Sequence, residues 1–324
     1  MRAWMLDAPG TPSSFYIKEI PIPTPEAGWV LIRVKAFGLN RSEHHTLKGL
    51  ASGVIFPRVL GIEATGVVAA APGGEFKAGQ QVCAMMGGMG RVIDGGYAEY
   101  TCVKAENIIP FASDLDWSLL GGVGEMLQTS YGSLSIGLDA KKGESILIRG
   151  GTSSIGMATA VLAKQLGMTV FSTSRTEKKT DALKKVGVDH IIIDDGNVAE
   201  KVRAIALEGV DCALELIGTD ALPDTLRACK VKGVTCFTGM LSNNWIVKEF
   251  YPIEYLPRGV RLTAYGGGAN DLPQHVLQEY LDAVKAGTAI VPIDKVFQFE
   301  QLPEAHERMD AGRAAGKMVV MTGM

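Results

Sequence analysis

Hydrophobic and polar residues follow two different rhythms along the chain. Up to about residue 115, short stretches alternate apolar and polar positions between glycine- and proline-rich turns, which is typical of β-strands. The predicted strands lie within 28–39, 64–71, 72–85 (a turn followed by a strand) and 95–103. From residue 118 the apolar residues recur at helical spacing, and 118–136 is predicted as a helix.

Strands and helices then alternate. The predicted strands are 145–150, 168–174, 190–194, 211–218, 233–239 and 260–266, and the predicted helices are 154–167, 177–187, 197–208 and 221–230. This order indicates a parallel sheet with helices on both faces. The tail, 267–324, is mixed and ends in the strand-like "KMVVMT".

Composition narrows the class of protein. The 324 residues are 47% hydrophobic and 21% charged, so we expect a folded protein of two domains. A net charge of −3 argues against nucleic-acid and membrane-surface binding. The five cysteines form no CxxC pair, the N-terminus lacks an apolar signal segment, and no apolar run reaches 18 residues. These features predict a cytoplasmic protein.

The stretch "GGTSSIG" (150–156) joins the first strand of the alternating region to its helix. Gly151 and Gly156 match the outer glycines of the G-x-G-x-x-G pattern, and Ser153 occupies the middle place. Small residues let a pyrophosphate approach the helix N-terminus, where Thr152, Ser153 and Ser154 add hydroxyl donors. The alternative is a plain tight turn with a serine cap.

The second strand of this region ends without the acidic residue that binds the ribose in NAD sites. It ends at Ser174, and the cationic residues Arg175, Lys178 and Lys179 follow. Lysines at a helix start oppose the helix dipole unless an anion lies there, so we expect a 2′-phosphate and favour NADPH over NADH. The alternative is a solvated basic helix start.

Taken together, the motifs "GLNRSE" (38–43), "FPRVLGIEATGVV" (56–68), "GGYAEY" (95–100), "QTSYGSL" (128–134), "ILIRGGTSSIG" (146–156) and "GKMVV" (316–320) resemble a known family. It is the zinc-free branch of the medium-chain dehydrogenase/reductase superfamily, the quinone oxidoreductase and enoyl reductase group. The resemblance implies an α/β fold. A β-rich GroES-like catalytic domain would comprise 1–117 and 267–324, and a Rossmann domain for NADPH, doubly wound around a parallel sheet, would comprise 118–266. It also implies an active site in the cleft and a homodimer or a tetramer, of which we favour the homodimer, joined through the strand near 260–266.

Zinc-containing relatives carry Cys, His and Cys as catalytic ligands, and the resemblance aligns these positions with Asn40, Ile62 and Glu125. Ile62 cannot bind a metal and the other two replace thiolates poorly, so we expect no catalytic zinc and no other metal. The resemblance places Glu63 of "LGIEATG" behind the position of the missing metal. We expect this carboxylate to pair with a cation or backbone donors, or else to handle a proton.

The resemblance also suggests site residues. Candidate catalytic groups are Asn40, Arg41, His44, Glu63 and Glu125, with Asn40 the first choice as hydrogen-bond donor to the acceptor and His45 as a further donor. Candidate cofactor contacts are Thr129, Gly151, Thr152, Ser153, Ser154, Ile155, Ser174, Arg175, Lys179, Ile217, Gly218, Thr238, Gly239 and Met240.

Without a Lewis acid, hydride transfer suits acceptors that are already electrophilic. We therefore expect an NADPH-dependent reductase of quinones or α,β-unsaturated carbonyls. Enoyl-thioester reduction and a non-catalytic NADPH-binding structural or RNA-binding role remain alternatives. The loop "MMGGMGRVIDGG" (85–96) is either a flexible cover over the substrate or an ordinary connection.

Overall fold

The computed structural model describes all residues, Met1 to Met324. The chain divides into two units, one formed by Met1–Gln128 with Gly268–Met324 and the other by Thr129–Gly267. The second boundary lies one residue from the expected position, whereas the first lies eleven residues later than 117, within a helix. The later boundary follows from local packing, because the backbone N–H of Glu125 donates to the side chain of Glu63 in the first unit. No helix has both the length and the apolar character needed to cross a bilayer.

The first unit is mainly β. Its elements are β1 (Arg2–Leu6), β2 (Tyr16–Glu19), β3 (Trp29–Gly38), α1 (Arg41–Leu47), β4 (Arg58–Val59), β5 (Glu63–Ala70), β6 (Gln81–Met85), β7 (Tyr100–Lys104), β8 (Ile108–Pro110), α2 (Trp117–Leu120) and the start of α3 (Gly124–Gly132), with α9 (Gln274–Lys285), β15 (Ile293–Gln298), α10 (Leu302–Asp310) and β16 (Lys317–Met321) from the tail. Short 3₁₀ turns occur at Pro12–Ser14, Ala105–Asn107, Ala269–Asp271 and Phe299–Gln301.

Two sheets share the core of the first unit. One has the order β2-β1-β4, and the other has the order β15-β16-β3-β5-β6-β8 with β7 also pairing with β3. Their apolar faces bury Phe37, Tyr97, Phe297 and Phe299. The last strand pairs antiparallel with β3, with Val319 opposite Gly38, so the end of the chain lies beside the residues that lead into α1.

The second unit has the predicted alternation. It contains β9 (Ser145–Arg149), α4 (Ser154–Gln165), β10 (Thr169–Ser174), α5 (Thr180–Lys185), β11 (His190–Ile193), α6 (Val198–Ile205), β12 (Val210–Glu215), α7 (Leu222–Ala228), β13 (Cys229–Phe237), α8 (Pro252–Tyr255) and β14 (Arg261–Ala264), with a 3₁₀ turn at Glu177–Lys179. All six strands are parallel, in the order β11-β10-β9-β12-β13-β14. The order reverses direction between β9 and β12, the position at which such sheets bind nucleotides.

The predicted helix 118–136 is the main difference in secondary structure. It is divided into α2, α3 and a π-helical turn, Ser133–Gly137. Gly121 and Gly122 separate the first two pieces, and a Cβ at these positions would lie 2.4 Å from the Cβ of Ala36 and 2.7 Å from Cδ1 of Ile293. The glycines therefore allow a close backbone approach, which helical periodicity does not reveal.

Candidate active site

A fully buried ammonium group lies at the centre of the first unit. Lys317, the first residue of β16, is 0% exposed, and its Nζ lies 2.7 Å from Oε1 of Glu63 and 3.1 Å from Oε2 of Glu125. The same Nζ donates to Oδ1 of Asn40 at 2.5 Å. Burial lowers the pKa of Lys317, but the two carboxylates together outweigh it, so the pKa is raised and the group stays charged. Lys317 is the cation that a buried Glu63 requires.

Glu63 uses both of its carboxylate oxygens within this group. Oε1 accepts from Nδ2 of Asn40 at 3.0 Å as well as from Lys317, and Oε2 accepts from the backbone N–H of Glu125 at 3.0 Å. Gly38 makes room for the pair, because a Cβ there would lie 2.3 Å from Cε of Lys317 and 2.4 Å from Oε1 of Glu63. The expectation that Glu63 pairs with a cation and a backbone donor agrees with these contacts.

A third carboxylate adjoins the same group. Glu43 on α1 is 1% exposed, and it accepts from the backbone N–H groups of Asn40 at 2.8 Å and Ile62 at 2.7 Å. Burial raises the pKa of Glu43 to about 7, with Glu63 adding to the effect, while the hydrogen bonds and Lys317 oppose it. Two carboxylates thus contact one ammonium directly, and a third acts on it electrostatically from nearby. We call Asn40, Glu43, Glu63, Glu125 and Lys317 the buried charge cluster.

Asn40 is the N-cap of α1 and is only 6% exposed. Its Oδ1 accepts from Lys317, and its Nδ2 donates to Glu63 and lies 3.4 Å from Oε1 of Glu43. Both ends of the amide are therefore occupied within the cluster. A donor role for Asn40 toward an acceptor, which the sequence predicts, requires the amide to release one of these bonds.

His44 lies apart from the cluster. Its Nδ1 is 2.6 Å from Oδ1 of Asp310 at the end of α10, and Lys48 contacts the other oxygen of Asp310 at 3.0 Å. Burial, reinforced by the nearby Arg41, lowers the pKa of His44 to about 4, so this imidazole is neutral at pH 7. The structure thus brings the predicted residues Asn40, Glu63 and Glu125 together, but it directs His44 toward α10.

The loop 85–96 is packed rather than extended over the surface. Met89 is 1% exposed, and the N–H groups of Arg91, Val92 and Ile93 all donate to the carbonyl of Gly88. A Cβ on Gly90 would lie 2.7 Å from the backbone nitrogen of Gly61. These contacts favour an ordinary, fixed connection over a flexible cover.

In the second unit, the glycine loop has the geometry of a phosphate site. A Cβ on Gly151 would lie 1.8 Å from Oγ of Ser172, and one on Gly156 would lie 2.7 Å from the carbonyl of Gly150. The backbone N–H groups of Thr152, Ser154 and Ile155 form no hydrogen bond within the chain, at the start of a 12-residue helix. Free N–H groups and the helix dipole suit a dinucleotide pyrophosphate.

Ser153 does not act there as a free donor. Its hydroxyl donates to the carbonyl of Gly150 at 2.8 Å and accepts from the N–H of Gly156 at 3.1 Å. Ser153 is the N-cap of α4, so its side chain fits the interpretation as a serine cap. The free backbone N–H groups beside it fit the interpretation as a phosphate site.

The residues after β10 are cationic, and two of the three cationic side chains are exposed. Arg175 and Lys178 are exposed and have no carboxylate within ion-pair distance, and Lys179 follows at the end of the 3₁₀ turn. The hydroxyl of Ser174 donates to the carbonyl of Thr176 at 2.7 Å, so this side chain already has a partner. No acidic residue ends β10.

Buried Glu215, the last residue of β12, fixes the backbone that follows this strand. It accepts from the N–H groups of Ile217 at 2.5 Å and Gly218 at 3.0 Å, and from the hydroxyl of Thr225 at 2.5 Å. Burial raises the pKa of Glu215 to about 7 against these hydrogen bonds. The other predicted cofactor contacts are Thr129 on α3 and Thr238, Gly239 and Met240 directly after β13.

Three residues important in this description were missing from the predicted site: Lys317, Glu43 and Glu215. Asn40 and Glu43 have the three-residue spacing of a capping box, and this signal was available in "NRSE". Lys317 was visible only as part of the closing motif. Nothing local in the sequence indicated that it meets Asn40, 277 residues away.

Replacing Lys317 by methionine tests the charge balance. The variant keeps the volume but leaves Glu63 and Glu125 without a buried cation, so we expect about 3–5 kcal/mol lower free energy of unfolding at pH 8. The loss should shrink toward pH 5, because protonation relieves the repulsion. Chemical denaturation measures it, with Lys18→Met on exposed β2 as control. Equal free energies of unfolding for the two variants would contradict the requirement of Glu63 and Glu125 for a buried cation.

Glu43 predicts a pH dependence of stability. Its pKa is about 7 in the folded chain and 4.5 as the ordinary value, so the folded state binds the proton more tightly. This contribution is complete below pH 4.5 and is lost as pH rises through 7. As the pH rises between these limits, the free energy of unfolding of Glu43→Gln should increase relative to that of the wild type by on the order of 3 kcal/mol. Glu26→Gln, which is exposed, should show no such trend.

Comparisons with known proteins agree with this geometry. Residues 26–113 match the alcohol dehydrogenase GroES-like domain, and residues 186–320 match the family described as zinc-binding dehydrogenase. A 2-haloacrylate reductase from a Burkholderia species is 27% identical over 99% of both chains. Human quinone oxidoreductase is 25% identical over 99% of this chain and 98% of the relative.

Solved structures share the fold at lower identity. The Escherichia coli quinone oxidoreductase complexed with NADPH has a TM-score of 0.89 and 18% identity, over 99% of this chain and all of that one. The Pseudomonas syringae quinone oxidoreductase has a TM-score of 0.88 and 21% identity, over 99% of both. The two domain matches and the full-length relatives support a zinc-free, quinone oxidoreductase-type protein of the medium-chain dehydrogenase/reductase superfamily, an oxidoreductase that uses a nicotinamide cofactor.

Proposed function

We propose that the protein is a zinc-independent, NADPH-dependent reductase of quinones or α,β-unsaturated carbonyls. The observation that carries the proposal is the ammonium of Lys317 in contact with Asn40 and Glu125, the residues aligned with two zinc ligands of the relatives. Ile62 stands at the third position and offers no donor atom. An ammonium neutralises charge but has no empty orbital for a substrate oxygen, so a Lewis-acid route is closed and activated acceptors fit best.

The cofactor part of the proposal rests on the second unit. The N–H groups of Thr152, Ser154 and Ile155 would hold the pyrophosphate, and Arg175 with Lys178 would bind a 2′-phosphate. When bound, the nicotinamide supplies a hydride. The chain's own part is to fix the cofactor, to keep the buried charge cluster intact and to orient the acceptor. Solvent supplies the proton, because His44 is directed toward Asp310.

The strand β14 suits a homodimer. It pairs only with β13, so its other edge has no partner within the chain. A second copy would extend the sheet through this edge. The five cysteines are all free, which is consistent with a reducing compartment and supports our proposal of a cytoplasmic protein.

Preference for NADPH is tested at Arg175. Arg175→Ala should raise KM for NADPH roughly tenfold or more and leave KM for NADH nearly unchanged, since only the former carries the 2′-phosphate. Arg33→Ala, an exposed arginine on β3, is the matched control. Equal effects on both cofactors would overturn the 2′-phosphate assignment.

Activity is tested as loss of NADPH absorbance with an ortho-quinone, after treatment of the protein with a chelator. We expect turnover that chelation does not change. Activity that is lost on chelation and restored by zinc would refute the zinc-independent mechanism. NADPH binding without turnover of a quinone, an enone or an enoyl thioester would instead support a non-catalytic role.

A further inference from the structure

A partly buried arginine on the loop between β6 and β7 has no acidic partner. The only side-chain hydrogen bond of Arg91 runs from Nη2 to Oγ of Ser42 at 2.8 Å. Most other arginines of similar or greater burial pair with a carboxylate, namely Arg2, Arg58, Arg149 and Arg308. Arg203 instead donates to three backbone carbonyls, whereas Arg91 has neither kind of partner. A guanidinium held partly out of water without a counter-ion is suited to binding an anion.

The backbone that leads into Arg91 is fixed by the two residues before it. Gly90 packs against the backbone of Gly61, and Met89 is buried in the core. The N–H of Arg91 donates to the carbonyl of Gly88 at 3.1 Å. Preorganisation of this kind lowers the entropic cost of holding a ligand.

The guanidinium reaches the first turn of α1. Ser42 lies between Arg41 and Glu43, two residues after Asn40 of the buried charge cluster. The oxygen of Ser42 accepts from Arg91, and its hydroxyl hydrogen has no acceptor within the chain. Arg91 and the Ser42 hydroxyl therefore offer adjacent donors, two residues along the chain from Asn40 of the cluster.

An anionic acceptor can bind near the buried charge cluster only if a cation lies beside it. Its three carboxylates exceed the single ammonium of Lys317, so an anion nearby would be repelled. Arg91, together with Arg41 at the start of α1, supplies the opposing charge at the cluster's edge. An acceptor without charge would have no use for an unpaired guanidinium there.

We propose that Arg91 binds the carboxylate of the acceptor, and that the acceptor class is therefore conjugated alkenes activated by a carboxylate, the 2-enoates. This inference rests on the proposed function and narrows its acceptor. The β-carbon receives the hydride, the π electrons move to the α-carbon and the carboxylate, and the α-carbon takes a proton from water. The product is the saturated carboxylate, with the nicotinamide oxidised.

Arg91 also promotes the chemistry in this arrangement. The negative charge of a free enoate makes its β-carbon a poor hydride acceptor, and the charge on the carboxylate grows as hydride arrives. A bidentate guanidinium neutralises that charge and contributes most where it is greatest, in the transition state. Arg91 is thus a specificity-determining residue.

The test compares crotonate with its neutral match, methyl crotonate, in wild type, Arg91→Met and Arg91→Lys. We expect Arg91→Met to lower kcat/KM for crotonate roughly 10- to 100-fold and to change that for methyl crotonate less than threefold. Arg91→Lys should recover part of the loss, because it keeps the charge but not the planar fork. Arg33→Met serves as the control for loss of an exposed arginine.

Each other outcome counts against the proposal. Equal losses with both acceptors, or a raised KM for NADPH with an unchanged acceptor ratio, would overturn it, the latter assigning Arg91 to the cofactor. If only neutral acceptors are reduced, this inference fails while the proposed function stands. If nothing is reduced, the proposed function fails, and calorimetric titration of crotonate into the NADPH complex decides whether Arg91 binds the carboxylate.

Discussion

The ion pair between Lys317 and Glu63 is the constraint on which the first unit depends. Lys317 begins the last strand, Glu63 begins β5, and the other contacts of the ammonium come from the N-cap of α1 and the start of α3. A buried charge cannot be left partly paired without a cost of several kcal/mol, so these four elements must come together as one arrangement. The division of the unit into two distant chain segments follows directly, because the cation arrives from the C-terminal segment.

An ammonium ion differs from a metal ion in what it can do. Lys317 is covalently part of the chain, cannot be removed by a chelator and cannot accept an electron pair from a substrate oxygen. It supports the positions of Asn40 and Glu125, and the cluster has more carboxylates than ammonium groups, which leaves a surplus of negative charge within the cluster itself. Glu43 reduces that surplus by holding a proton near neutral pH, since its pKa is raised to about 7. The buried charge cluster is therefore negative overall. A positive charge for binding an anionic acceptor must come from residues at the edge of this cluster.

Features encoded over a short range were predictable from the sequence. The six parallel strands and the loop "GGTSSIG" follow from periodicity and glycine spacing within a few residues, and both are present. The first compact unit extends past the expected boundary at 117, because the apolar spacing after residue 118 gives no sign that Glu125 contacts Glu63. The sequence predicted that Glu63 needs a partner, since burial alone requires one. It did not identify Lys317, because that contact is tertiary and has no local pattern.

The stretch "NRSE" at the start of α1 places acidic contacts on its buried side and cationic contacts on its partly exposed side. Asn40 and Glu43 are three residues apart, so they lie on the same side of the first turn and enter the buried charge cluster. Arg41 and Ser42 fall between them and remain partly exposed, where Ser42 meets Arg91. The helical period alone therefore separates an acidic interior from a cationic edge within four residues. Selectivity for the acceptor can then change through Arg91 and its loop, while the ion pair that holds the unit together remains the same.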